Sequence, residues 1–108
     1  MTLEIDISVQ AARLILSENG GNVRVKPGTE LVFKTRDPKR RFMLEFFTLQ
    51  IGGCDSPFKC GATNVEISVE KPFRTTIGER PAGDVGAFKY SVSTGSLILD
   101  PIIVMGDE

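Results

Sequence analysis

The sequence predicts one all-β domain, a sandwich of seven to eight short strands spanning residues 1–108. Three observations lead there. Apolar and polar residues alternate with period two in several separate stretches. Clusters of Gly, Pro and Asn interrupt these stretches at roughly 8 to 12 residue intervals, the spacing of sandwiches and small barrels. No stretch carries the 3.6-residue periodicity of an amphipathic helix, and no internal repeat is present.

Residues 2–9 show the alternation most clearly, with Leu3, Ile5, Ile7 and Val9 on one side and Thr2, Glu4, Asp6 and Ser8 on the other. In residues 11–16, Ala11, Ala12 and Leu16 tolerate a helix while Leu14-Ile15-Leu16 suits a short strand, the preferred reading, and the Asn19-Gly20-Gly21 turn stops either one. Val23 and Val25 alternate into Lys26-Pro27-Gly28, where proline presets one backbone angle and glycine accepts the left-handed one. Leu31, Val32 and Phe33 then resume as a strand.

The polar segment from Arg36 to Arg41 breaks the pattern, and residues 42–51 resume it with Phe42, Leu44 and Phe46 on one face and Met43, Phe47, Leu49 and Ile51 largely on the other, so that both faces read as at least partly covered. Residues 52–64 read as a loop holding both cysteines. Strand signals return in Val65, Ile67 and Val69, in Phe73, Thr75 and Ile77, and, after a turn over 79–86, in Phe88, Tyr90 and Val92. A turn over 93–96 leads into a final apolar stretch, 97–104, in which Pro101 implies an edge strand, a bulge or a kink.

Length and composition narrow the function classes. A chain of 108 residues is too short for two independent cores. With 41% hydrophobic and 25% charged residues the composition is that of a soluble domain, and no apolar run approaches the ~18 residues of a membrane span. A net charge of -1 supplies no global field to draw nucleic acid or an anionic membrane. Acidic residues interrupt the first segment, so nothing in it reads as an export signal; a start placed after a removed leader leaves a mature periplasmic or secreted form open.

Two stretches resemble the cupredoxin family. Residues 23–33, through Lys26-Pro27-Gly28, are similar to the segment in which cupredoxins run one strand through a Lys-Pro-Gly turn into the next. Pro81-Ala82-Gly83, then Gly86 to Val92, then Ile102-Ile103-Val104 resemble the closing hairpin and last strand of that family. The resemblance covers about half the chain and implies a Greek-key sandwich.

It also implies where copper ligands would fall. Cupredoxins hold copper with two histidines, a cysteine and a weak axial ligand. Here those positions carry Arg40 or Arg41, Val92, Gly95 and a residue near Ile98, and the chain contains no histidine. No type 1 copper site can form from these side chains, and no cofactor is expected.

The remaining candidates are few. Cys54 and Cys60 bracket a five-residue segment bent by Pro57. A bridge there would contribute about 2 kcal/mol in the chain-entropy model. A structural staple or two free thiols fits this spacing better than a redox pair, which uses tighter spacing and a lowered pKa. Two thiolates and Asp55 fall short of the four ligands of a stable zinc site.

Lys34, Arg36, Lys39, Arg40 and Arg41 form the densest basic cluster, either a solvated loop or a surface for an acidic partner. Leu97, Ile98 and Leu99 follow the turn where the family has its ligand loop, and they either dock a partner or fill the space of the lost metal. No motif for acid–base or nucleophilic catalysis is present, and no phosphate loop. The expectation is therefore a non-enzymatic binding or assembly module whose partner is another protein, met at Lys39, Arg40, Arg41, Leu97 and Leu99. The alternative is a thiol–disulfide or metal-handling protein using Cys54 and Cys60.

Overall fold

The computed structural model describes residues 2–48, 64–78 and 87–105, which form two β-sheets packed face to face. In chain order the elements are β1 (Thr2–Gln10), β2 (Arg13–Leu16), the single turn α1 (Ser17–Gly20), β3 (Val23–Val25), β4 (Glu30–Thr35) and β5 (Phe42–Thr48). There follow β6 (Asn64–Ile67), β7 (Phe73–Thr76), β8 (Ala87–Thr94), β9 (Leu97–Leu99) and β10 (Ile102–Met105). One sheet has the order β2-β1-β4-β7, and the other β3-β10-β8-β5-β6 with β9 also paired to β8. Both sheets are mixed, because β1 runs parallel to β4 and β10 parallel to β3.

The alternation decides what is buried. Ile5 and Ile7 from β1, Leu31 and Phe33 from β4, Phe42, Leu44 and Phe46 from β5, and Phe88, Tyr90 and Val92 from β8 all enter one core. Phe33 and Phe46 each lie 5.5 Å, centroid to centroid, from the Tyr90 ring, and Phe73 stacks at 6.3 Å on Phe33. This aromatic group joins the two sheets, since Phe33 and Phe73 belong to one and Phe46 and Tyr90 to the other. Such pairs favour tilted and offset geometries through their ring quadrupoles.

Val32 faces outward from β4 yet is buried, at 3% exposure. Its register neighbours are Glu4 on β1 and Arg74 on β7. The long stems of such residues cover apolar surface while their charged ends stay in water. Those ends pair with neighbours: Arg74 with Glu30 at 2.7 Å, and Glu4 with Lys34. The hydrogen bond from Lys34, and then its charge, hold the Glu4 carboxyl below the ordinary carboxylate value.

The described residues hold ten strands, more than the seven to eight expected, and two breaks in the chain shape them. At the first, α1 closes a single turn with its backbone in the left-handed region, Glu18 at φ 57 and Asn19 at φ 58, followed by Gly20 at 68 and Gly21 at 89. Left-handed backbone costs a non-glycine residue roughly 1–2 kcal/mol, so the turn needs outside support. The Asp6 N–H donates to Ser17 Oγ at 2.8 Å, Asn22 Nδ2 donates to the Asn19 carbonyl at 3.2 Å, and the Ile102 N–H donates to Asn22 Oδ1 at 3.0 Å. The turn moves the chain from β2 in one sheet to β3 in the other.

The second break is Pro101. Lys89↔Ile102 and Val92↔Leu99 lie the same number of residues apart on both strands, so β9 and β10 keep a single register against β8 and there is no bulge. The Tyr90 N–H still donates to the Pro101 carbonyl at 2.9 Å. The reciprocal bond is impossible because proline has no N–H.

Candidate binding site at one end of the sandwich

Three connections meet at the end where β1 stops. The first is the β1–β2 hairpin, whose Gln10↔Arg13 pair leaves only Ala11 and Ala12 in the turn. Both are left-handed, at φ 51 and φ 61. A two-residue hairpin matches strand twist best with positive φ at both positions, a geometry that normally selects Asn-Gly. Two alanines adopt it here at a cost in backbone strain.

The second is the β8–β9 hairpin, where Thr94↔Leu97 brackets Gly95 and Ser96 and Gly95 takes φ 57. The third is the polar segment between β4 and β5, organised by Asp37. The Asp37 N–H donates to Thr35 Oγ1 at 3.1 Å, Asp37 Oδ1 accepts from the Lys39 N–H at 2.9 Å, and Asp37 Oδ2 lies 3.3 Å from Arg40 Nε.

Between these connections lies an open concavity of about 590 Å³, lined by Val9, Ala11, Ala12, Arg40, Thr94, Gly95, Ser96 and Leu97. Its walls are small or apolar, and among the described residues Arg40 is its one charged lining residue. Thr94 is 9% exposed, and its hydroxyl has no hydrogen-bond partner among the described residues. On the other side of Arg40 a smaller cleft of about 130 Å³ is lined by Pro38, Lys39, Arg40, Arg41, Ser68, Val69 and Glu70.

A separate depression of about 450 Å³ borders Asn19, Asn22, Val23, Arg24, Ile102 and Val104. Its Asn22 amide is already committed at both ends to the Asn19 carbonyl and the Ile102 N–H.

The basic cluster is thus divided. Arg40 pairs with Asp37, Arg41 Nη1 lies 3.3 Å from Glu66 Oε1, and Lys34 pairs with Glu4 on the outer face of the other sheet. Lys39, Arg40 and Arg41 stay together at the smaller cleft. Leu97 and Leu99 are half-buried and pack against the core, and Leu97 also lines the concavity. Ile98 between them faces out and is 66% exposed.

Of the positions where the resemblance would put copper ligands, Arg40 and Gly95 border the concavity, Val92 is buried in the core, and Ile98 faces solvent. A cation, a bare backbone and two alkyl chains do not fit a copper ion, which takes imidazole and thiolate. Cys54, Cys60 and Pro81 to Gly86 lie outside the described residues. Among the described residues no three His, Cys, Asp or Glu side chains gather as metal ligands. No helix among them is long and apolar enough to cross a membrane.

Sequence reasoning missed Ala11-Ala12 and Thr94. The turn contains none of the residues that announce one. The isolation of the Thr94 hydroxyl depends on what surrounds it, which no local pattern encodes. No protein-family model and no curated protein matches the chain.

Proposed function

We propose that the chain is a non-enzymatic binding or assembly module on a copper-free cupredoxin-like scaffold, engaging another protein through the end of the sandwich that carries Ala11, Arg40 and Ser96. The observation that carries this reading is the convergence of three connections, two of them in left-handed backbone, on one open concavity. Of these only the Ala11-Ala12 turn is strained, since glycine accepts the left-handed angle; strained backbone persists where the surrounding structure over-determines it, and it clusters at ligand clamps and sites.

The scaffold part of the reading is supported by where the two cupredoxin-like stretches lie. Residues 23–33 form β3, a turn with Gly28 at φ 86, and β4. The described part of the closing stretch, from Ala87 on, lies in β8 and β10, and β10 sits directly between β3 and β8. The chemistry of Val92 and Gly95 supports a role without copper, and a role on this scaffold has to be argued from its loop end, since fold alone does not assign function.

The test is site-specific photo-crosslinking in the source cell. A photoreactive residue at Ser96 should yield a discrete protein adduct, while the same residue at Thr2, at the opposite end of β1, should not. Adducts of equal yield at both positions, or none at Ser96, would remove the reading.

A further inference from the structure

The concavity contains a feature that its role in the fold leaves unexplained. Thr94 is buried at 9% exposure and borders the concavity, yet its hydroxyl has no hydrogen-bond partner among the described residues. The other two buried threonines, Thr35 and Thr75, both have partners. A buried hydroxyl left unmade is destabilising, so an unpaired one calls for a ligand that completes it.

Arg40 and Ser96 are the other polar side chains that border the same space. Asp37 engages the Arg40 guanidinium through Nε, and no hydrogen bond from another described residue occupies its two Nη groups. A hydroxyl donor and a guanidinium on one small-walled concavity match a carboxylate, which accepts several hydrogen bonds and binds arginine with charge assistance. Val9 and Leu97 supply apolar wall beside them, and Lys39 and Arg41 extend the positive charge into the adjoining cleft.

Resting on the binding-module reading above, we infer that the concavity receives the side-chain carboxylate of an acidic, internal peptide segment of the partner, hydrogen-bonded by Thr94 and paired with Arg40, with a small apolar neighbour against Val9 and Leu97. The charge of Arg40, Lys39 and Arg41 selects the acid, and the small side chains of Ala11, Ala12 and Gly95 leave room for the peptide backbone.

The probe is a fluorescein-labelled, end-blocked pentapeptide with a central glutamate between two valines, titrated against the intact protein by fluorescence polarisation. Saturable binding is expected, about tenfold weaker for the glutamine counterpart and for Arg40→Gln, as loss of one charge-assisted contact implies. Thr94→Val should weaken binding by about fivefold while raising Tm by roughly 4 °C, because it removes an unpaired buried hydroxyl and keeps the shape.

Absence of saturable binding, equal affinity for the glutamate and glutamine peptides, or a Tm lowered in Thr94→Val would overturn the inference. Preference for a neutral peptide with a free C-terminus would overturn the choice of a side-chain acid. A Ser96 adduct obtained alongside any of these results would leave the binding-module reading standing, whereas loss of the adduct would remove both.

Discussion

Tyr90 Oη donates a hydrogen bond of 2.5 Å to the Gly21 carbonyl from within the core, tying β8 to the turn that carries the chain between sheets. Gly21 has no room for a side chain there. A Cβ would lie 2.6 Å from Tyr90 Oη, 2.6 Å from Leu16 Cδ2 and 3.2 Å from Pro101 Cβ, at φ 89. The left-handed turn is thus held from inside by one phenol.

Two substitutions separate the parts of this latch. Tyr90→Phe leaves a buried carbonyl without its donor and should cost roughly 1–3 kcal/mol. Gly21→Ala adds both a clash and an unfavourable φ, and should cost about 3 kcal/mol or more. Denaturant midpoints at constant m check both; a Gly21→Ala midpoint equal to the parent's would mean the turn is not packed against Tyr90.

The same phenol predicts an alkaline limit. Burial pushes the Tyr90 pKa well above the tyrosine value of about 10 that holds in the unfolded chain. The folded form therefore keeps a proton that the unfolded form releases, so this contribution is complete below pH ~10 and declines as pH rises beyond it. Tyr90 is the only tyrosine and there is no tryptophan, so tyrosinate absorbance follows it directly. Ionisation should coincide with unfolding, and Tyr90→Phe should flatten the alkaline decline; a phenol that titrates normally in the folded protein would contradict its burial.

Phe88 is 1% exposed on the inward face of β8. Phe88→Ala should cost on the order of 3 kcal/mol through the cavity it leaves. An unchanged urea midpoint would show that β8 has a different register.

The β1–β2 turn should respond in the opposite direction. Replacing Ala11-Ala12 by Asn-Gly supplies residues that accept the left-handed angles, and should stabilise the protein by about 1–2 kcal/mol. A scanning calorimeter would show the rise in Tm, and a fall would mean that the alanine methyls contribute more in packing than their backbone costs.

Reversing Lys39, Arg40 and Arg41 to glutamate should slow association with an acidic partner steeply at low salt, and less at high salt. Stability should change by about 1 kcal/mol or less from the two exposed pairs lost, with Asp37 and Glu66. Association rates across a salt series, with urea denaturation as control, test this; equal rates at low salt would leave the cluster as a solvated connection.

Much of the fold was legible because a strand's period is local. The alternation in residues 2–9 and at Phe88, Tyr90 and Val92 identifies the buried face without knowledge of any partner strand, whereas the run from Phe42 reads as covered on both faces although Met43 is 43% exposed. The absent imidazoles and the alkyl side chain of Val92 were likewise plain from residue identity. The strand count was less legible, since Pro101 interrupts the last strand without shifting its register, and a turn signal at Asn19-Gly20-Gly21 says nothing about which sheet each flanking strand joins.

Sequence alone determined that this chain folds as an all-β sandwich and that it offers no imidazole, because periodicity and side-chain identity are properties of neighbouring residues. Tertiary structure decided that Gly21 meets Tyr90 across 69 positions, that Asp37 and Glu66 take up Arg40 and Arg41, and that Thr94 and Arg40 border one concavity. These depend on how distant strands pair and pack, and the free energy that selects them arises only once the two sheets have closed on a common core.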